Sequence, residues 1–316
     1  MRRNKKSVFV TGSSGFIGGN FVRGFKQTHP DVEVVGLDIK KGDSASDAFY
    51  LGSICDEKLL NKIFSKHHPE YVFHFAAIPR VSYSVLYPAE TAHVNVYGTA
   101  LVLEKARDHG VKRFVFSSSS SVYGGAKKLP TREHENLPNP RSPYATHKHV
   151  GEIFCKHTSE LHGMDTVSLR YFNVYGPGQF GDDPYSTVVS AWLEALYFPD
   201  ERKPYIEGDG TQSRDFAYVD DVVCANILAM RSQKDFKGEA FNIGAGGRTD
   251  LLTVKRLIEK HTGKKLKLEK RPPRKGDVKH THADISKARK HLGFKPQVPF
   301  EEGIVHTIKW FEGRKK

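Results

Sequence analysis

Cysteine is scarce in this chain of 316 residues: Cys55, Cys155 and Cys224 are far apart and odd in number. They imply no disulfide framework, and none falls at metal-ligand spacing. Sixteen histidines are present, but His-Glu-x-x-His is not. His280 and His282 have no cysteine nearby, so no metal site is expected. No apolar run approaches the roughly 20 residues that span a bilayer, which excludes a helical membrane protein. Internal repeats and low-complexity tracts are also missing. Behind the basic stretch Met1–Lys6 lies only Val8-Phe9-Val10, too short for the apolar core of a signal peptide. A cytoplasmic protein is expected.

What is present is a core and an uneven charge. Twenty Phe and 13 Tyr, with many Val, Ile and Leu, exclude a mostly disordered chain. The length suggests about two domains. The formal net charge is +13; residues 255–316 carry +12 of it and the first 254 only +1. A basic C-terminal part points to an anionic partner (nucleic acid, a phosphate-bearing small molecule or a membrane surface) or to a solvated basic face.

Apolar runs and helical patterns alternate through the first half. Strands are expected at 7–11, 32–38, 71–75, 113–118 and 166–171. Helices are expected at 16–26, 57–67, 89–109 and 144–162. This alternation implies a doubly wound parallel α/β sheet covered on both faces, with a smaller C-terminal α/β substrate domain. The division expected is 1–174 and 175–316, with 215–244 returning to the first unit as a strand plus helix at 216–230 and a strand at 240–243. Further helices are expected at 253–262, 285–292 and 300–311.

Two constellations carry chemistry. Thr11-Gly12-Ser-Ser-Gly15-Phe16-Ile17-Gly18 follows the first strand and opens the first helix, and Asp38 ends the second strand. Glycines permit a tight turn, the helix N-terminus offers N–H groups to a pyrophosphate, and the carboxylate suits ribose hydroxyls. NAD is the expected cofactor; Lys40 and Lys41 keep NADP open. Tyr144 and Lys148 stand at i and i+4 on one helix face. A nearby ammonium and the positive nicotinamide ring favour phenolate and lower its pKa, so the pair suits removal of a hydroxyl proton during hydride transfer. The serine run of Phe116–Gly124 ends a strand, where ligands sit in open parallel sheets.

With these motifs the sequence resembles the extended short-chain dehydrogenase/reductase family, and within it the nucleotide-sugar epimerases of the UDP-glucose 4-epimerase type. The resemblance also covers His74-Phe-Ala-Ala77, Asn95-Val-Tyr-Gly-Thr99, Leu169–Gly178, Gly208–Asp220, Phe241–Gly244, Arg274–Asp277 and Ala283–Lys287. It implies a Rossmann fold, NAD, a UDP-sugar substrate and a homodimer formed through the helices at 89–109 and 144–162. By position, Tyr144 would be the base and Lys148 its electrostatic partner, also bonding the nicotinamide ribose. Ser119 would bridge to the sugar 4-oxygen. Phe75, Ala76, Ala77, Asn95 and Phe172 would line the cofactor, with Ser53 and Ile54 near the adenine. Ser53 stands where the family commonly has Asp, and Ser190 near where it often has Pro. Asn173 and Arg214 would hold the diphosphate region, Arg274 and Asp277 the phosphates and ribose, and Tyr205 the uracil, with Val188 beside it.

Family members differ near the serine run. Dehydratases carry Asp-Glu before x-Tyr-Gly, and decarboxylases carry Glu before Val-Tyr-Gly. This chain has Ser120 and Ser121 there. The resemblance therefore implies 4-epimerisation of a neutral UDP-hexose or UDP-N-acetylhexosamine through a transient 4-keto sugar. Thr281, four residues after Asp277, corresponds to a position where a bulky residue closes the pocket around C2 and a small one admits N-acetyl. UDP-glucuronate 4-epimerisation is the nearest alternative, and a non-catalytic NAD- or RNA-binding protein a remote one. On this reading the anionic partner narrows to a UDP-sugar, with neither nucleic acid nor membrane involved.

Overall fold

The computed structural model describes residues 6–42, 45–180, 187–200, 202–272 and 278–314. Its strands are β1 (Ser7–Thr11), β2 (Glu33–Asp38), β3 (Ala48–Leu51), β4 (Tyr71–His74), β5 (Arg113–Ser119) and β6 (Asp165–Tyr171). There follow β7 (Tyr205–Glu207), β8 (Ser213–Arg214), β9 (Ala240–Ile243), β10 (Thr249–Asp250) and β11 (Glu269–Arg271). Seven strands form one parallel sheet in the order β3-β2-β1-β4-β5-β6-β9. Every residue of β1 is buried, as a central strand covered on both faces requires. The strand order reverses between β1 and β4, which opens a crevice at their carboxyl ends. Thr11, His74 and Ser119 each end a strand at that rim.

Helices cover both faces because their apolar stripes match the sheet. On one side Phe21, Val22 and Phe25 of helix Phe16–Thr28 meet Val222, Val223 and Ala229 of helix Val219–Arg231. On the other, Leu60, Phe64, Leu101, Ala106 and Cys155 join helices Glu57–His67, Thr99–Asp108 and Pro143–His162 to the sheet. A third core unites Tyr175, Trp192, Ile206, Phe216, Val254 and Ile304 in a smaller lobe. There β7 pairs with β11 and β8 with β10.

Several segments differ from the sequence expectation. The long helix at 89–109 is two α-helical pieces, Pro88–Ala92 and Thr99–Asp108, joined by a π-helical turn, His93–Gly98. The strand expected at 216 is absent. Residues 172–175 and 217–219 exchange backbone bonds, Ala217 to Phe172 and Tyr175 to Ala217, but the stretch is too short to become a ladder. Strand β3 and helices Val81–Leu86 and Val188–Tyr197 arise where no pattern pointed to them.

The base of the sheet is held by one buried cation. Arg113, at the start of β5, pairs with Asp165 at the start of β6. Its guanidinium also donates to the carbonyls of Ala229 (2.6 Å), Met230 (3.1 Å), Ser232 (2.8 Å) and Lys234 (2.7 Å), ending helix Val219–Arg231. Removing one partner of a buried pair leaves an uncompensated charge. Arg113→Met is expected to cost about 3–5 kcal/mol, read as a lower urea midpoint at unchanged slope.

Candidate active site

The glycine loop has almost no spare room. A methyl group on Gly18 would lie 2.0 Å from the Gly12 carbonyl oxygen, so only glycine fits where helix Phe16–Thr28 meets the turn. Asp38 Oδ2 accepts the Ser14 N–H at 2.9 Å and ties the loop to the end of β2. Among the described residues the buried hydroxyls of Ser13 and Ser14 have no hydrogen-bond partner, which leaves polar capacity in the loop. Gly15, Phe16 and Ile17 form the helix start. The loop and Asp38 thus fit a dinucleotide.

A polar relay runs beside this loop. The Ala76 N–H donates to Thr11 Oγ1 (3.3 Å), and Thr11 Oγ1 lies 2.8 Å from His74 Nδ1. His74 Nε2 lies 3.0 Å from Thr99 Oγ1, which donates to the Asn95 carbonyl at 2.8 Å. Thr99 therefore accepts from His74, and Nε2 carries the ring proton. Burial holds His74 neutral, its pKa down to about 3. Asn95 sits in the π-helical turn and grips Ile78, Oδ1 accepting its N–H at 2.8 Å and Nδ2 donating to its carbonyl at 3.0 Å. Phe75, Ala76 and Ala77 are half-buried between these points.

The remaining residues expected near the cofactor are placed as follows. Ser53 Oγ accepts the Cys55 N–H (3.1 Å), and Ile54 is buried. Phe172 is buried in the core, with Tyr123 6.4 Å away between ring centres.

Ser119, Tyr144 and Lys148 come together at the crevice. Helix Pro143–His162 starts with Ser142 as N-cap, its side chain accepting the Ala145 N–H at 3.2 Å, and Pro143 in its first turn; it stops at Gly163. Tyr144 is thus in the first turn, with the Ser119 hydroxyl near enough to its phenol to favour the phenolate. Lys148, one turn on, donates from Nζ to the Ser117 carbonyl (2.6 Å), 6.0 Å from the centre of the Tyr144 ring. Burial pulls Lys148 down to about 8 and pushes Tyr144 up to about 12; the Ser119 hydroxyl acts against the Tyr144 rise. In the protein alone desolvation thus dominates at Tyr144, and the lowering expected from the ammonium together with the positive nicotinamide ring belongs to the enzyme with NAD bound.

On the smaller lobe a cavity of about 200 Å³ is lined by Asn173, Val188, Trp192, Tyr205, Arg214 and Phe216 among others. The Arg271 guanidinium lies 3.9 Å from the Tyr205 ring centre. Ser190 Oγ donates to the Thr187 carbonyl, closing the first turn of helix Val188–Tyr197. Thr281 meets this wall through Asn173, whose Nδ2 donates to Thr281 Oγ1 at 3.0 Å. Asn173 has φ +27°, a left-handed conformation that asparagine tolerates better than most residues. Arg274 and Asp277 lie outside the described residues.

Sequence reasoning missed two residues here. Ser84 Oγ accepts the Tyr144 N–H at 3.0 Å, and no motif marks it. Asp215 is fully buried and accepts the N–H groups of Ala245 (2.7 Å), Gly246 (3.1 Å) and Ala283 (2.9 Å). Burial raises it to about 6 against those three bonds. Its place between Arg214 and Phe216 inside a recognised motif was the available signal.

Residues 8–244 match the model of the NAD dependent epimerase/dehydratase family. The UDP-glucose 4-epimerase of Mycolicibacterium smegmatis is 36% identical over 97% of this chain and 99% of its own. The crystal structure of Thermotoga maritima UDP-glucose 4-epimerase with UDP-glucose superposes with a TM-score of 0.91, at 38% identity, covering 98% of this chain and 100% of that one. UDP-N-acetylglucosamine 4-epimerase of Methanobrevibacter ruminantium, in complex with UDP-N-acetylmuramic acid, gives a TM-score of 0.89 at 33% identity, over 99% and 100%. The chain therefore belongs to the NAD dependent epimerase/dehydratase family, among its nucleotide-sugar epimerases.

Gly18→Ala is expected to push the helix start off the Gly12 carbonyl. Protein purified with this substitution should retain no NAD, as read by cofactor release and chromatography.

Proposed function

We propose that this chain interconverts the C4 epimers of UDP-hexoses, UDP-N-acetylglucosamine and UDP-N-acetylgalactosamine as well as UDP-glucose and UDP-galactose. The observation that carries this reading is the convergence of Ser119 at the end of β5 with Tyr144 and Lys148, one helical turn apart on the helix packed against it, where the crevice opens. Ser120 and Ser121, rather than carboxylates, follow Ser119, so the groups for removing water are missing.

Tyr144 receives the proton of the sugar 4-hydroxyl, relayed or steadied by Ser119, and later returns it to the 4-keto oxygen. Its place in the first turn sets it at the positive end of helix Pro143–His162, which favours phenolate, as does the Lys148 ammonium. NAD, held by the Gly12–Gly18 loop and Asp38, accepts and returns a hydride at C4 when bound. Between the two transfers the 4-keto sugar must present its other face. The holding contacts therefore belong on the nucleotide and diphosphate, for which Tyr205, Val188, Arg214 and Asn173 line the cavity of the smaller lobe. That lobe, 175–316 without 215–244, is the substrate-binding unit in this reading.

Acceptance of an acetamido group is supported by hydrogen-bond polarity. Asn173 Nδ2 also donates to the Asp215 carbonyl (3.1 Å), which fixes the amide, since the flipped form would face oxygen with oxygen. Thr281 Oγ1 thus accepts from Asn173 and from the Asp215 N–H (3.1 Å), leaving its proton to donate. A small side chain with a free donor suits an acetamido carbonyl. Tyr97, Ile153 and Leu161, exposed apolar residues of the stretch 88–108 and helix Pro143–His162, support a homodimer.

The test is a product assay with UDP-glucose, UDP-galactose, UDP-N-acetylglucosamine, UDP-N-acetylgalactosamine and UDP-glucuronate. Conversion within both neutral pairs is expected. Turnover of UDP-glucuronate alone overturns the reading, and turnover of UDP-glucose without acetamido sugars overturns the Thr281 assignment. Thr281→Tyr should abolish acetamido-sugar turnover selectively, and Tyr144→Phe should lower kcat by about 10²–10⁴-fold.

A further inference from the structure

Behind the serine run lies a buried ion pair that the proposed chemistry does not use. Glu152 stands one turn after Lys148 on the same helix, and Arg170 lies on β6. Arg170 grips Glu152 with two bonds, Nε to Oε1 at 2.8 Å and Nη2 to Oε2 at 2.7 Å. The Ser118 hydroxyl, adjacent to Ser119, donates to Glu152 Oε1 at 2.6 Å. Arg170 Nη1 also donates to the Tyr123 phenol (2.8 Å), in the one-turn helix Ser120–Tyr123 that follows Ser119, and Tyr123 donates to Asn242 Oδ1 (2.7 Å). One carboxylate thereby joins the serine strand, the Tyr144–Lys148 helix and β6.

Stability alone does not account for this arrangement. A buried pair gains little over apolar side chains of the same volume. Its position is the informative part. The other charged or titratable groups around Lys148 are His147 and Cys155 on its own helix and His74 on β4; burial holds both histidines low and Cys155 protonated. Around Glu152 stand Arg170 and His149, with His149 Nδ1 3.6 Å from Oε2. Glu152 is therefore the ionised acid one helical turn from Lys148, and Arg170, His149 and Ser118 keep it ionised, at about 2.

We propose that Glu152, clamped by Arg170 and Ser118, is a positioning residue that keeps Lys148 cationic and fixes it with Ser119 against Tyr144. The proposal deepens the epimerase reading and rests on it only for the turnover measurement. Lys148 sits near 8 because burial disfavours its charge, and the Glu152 carboxylate acts the other way. Without that negative charge the ammonium loses its proton at lower pH.

The experiment compares wild type, Glu152→Gln and Arg170→Gln. Protein labelled with ¹³C at lysine Cε is titrated by NMR, the Lys148 signal being the one lost in Lys148→Arg; it is expected to move near pH 8, below the surface lysines. Glu152→Gln should shift that midpoint down by about one pH unit. Arg170→Gln should lower it by less, because the carboxylate keeps Ser118 and His149 beside it. In turnover, the alkaline limb of kcat should move with the NMR midpoint for each variant. An unmoved midpoint in Glu152→Gln, or a uniform fall of kcat at all pH values, overturns the proposal. Arg170→Gln serves as the control for folding, since both variants break the same pair. If wild type epimerises no UDP-sugar, the epimerase reading fails while the NMR titration still decides the role of Glu152 toward Lys148.

Discussion

The approach of helix Pro143–His162 to β5 is the contact on which the catalytic end depends. A methyl group on Gly151 would lie 2.3 Å from the Phe116 ring, so the helix touches the strand as closely as a backbone can. Lys148, one turn earlier, brings Nζ to 5.0 Å from the same ring centre and onto the Ser117 carbonyl. Another turn back, Tyr144 reaches Ser119. A helix lifted by even a methyl group would separate all three. The glycine that allows the approach is far from the reacting atoms, yet it sets their spacing.

Closeness has an electrostatic cost, since the same packing that aligns these groups removes water from them. Burial drives the lysine and the tyrosine toward their neutral forms together, so an ammonium–phenolate pair is not the resting arrangement of the protein alone. The fold answers with fixed polarity: the positive end of a helix at Tyr144, a clamped carboxylate near Lys148 and a histidine held neutral at the cofactor side. The helix end is held by Ser84, the carboxylate by Ser118 on β5 and Arg170 on β6, and the histidine by Thr11 on β1, so little reorganisation is left for the moment of reaction.

Much of this was legible in the sequence. Six of the sheet's seven strands could be read because buried parallel strands give continuous apolar runs, and the helix bearing Tyr144 carries its own start and stop in Ser142-Pro143 and Gly163. The glycine loop and Asp38 could be read because their spacing is imposed by a ligand's shape. What escaped notice was long-range. Glu152 and Arg170 are ordinary charged residues until the sheet places them together, and Ser84 gains its role only when helix Val81–Leu86 delivers it to the Tyr144 N–H. Strand β3 is short and half-buried, so it leaves no periodic signal. The smaller lobe is built from two- and three-residue strands whose pairing depends on partners tens of residues away.

The π-helical turn at His93–Gly98 amounts to one residue more than an α-helix would need. Its wide turn lets Asn95 face Ile78 while Thr99, four residues later, still faces His74. The extra residue is taken up as a local bulge, so the α-helical pieces on either side keep the register of one continuous helix. Losing it would close the bulge and leave both pieces in place, while residues inside the turn would move around the axis by about 100° each. Asn95 would then turn away from Ile78, and the cofactor side of the crevice would lose its hold on the helix although the helix itself had become more regular.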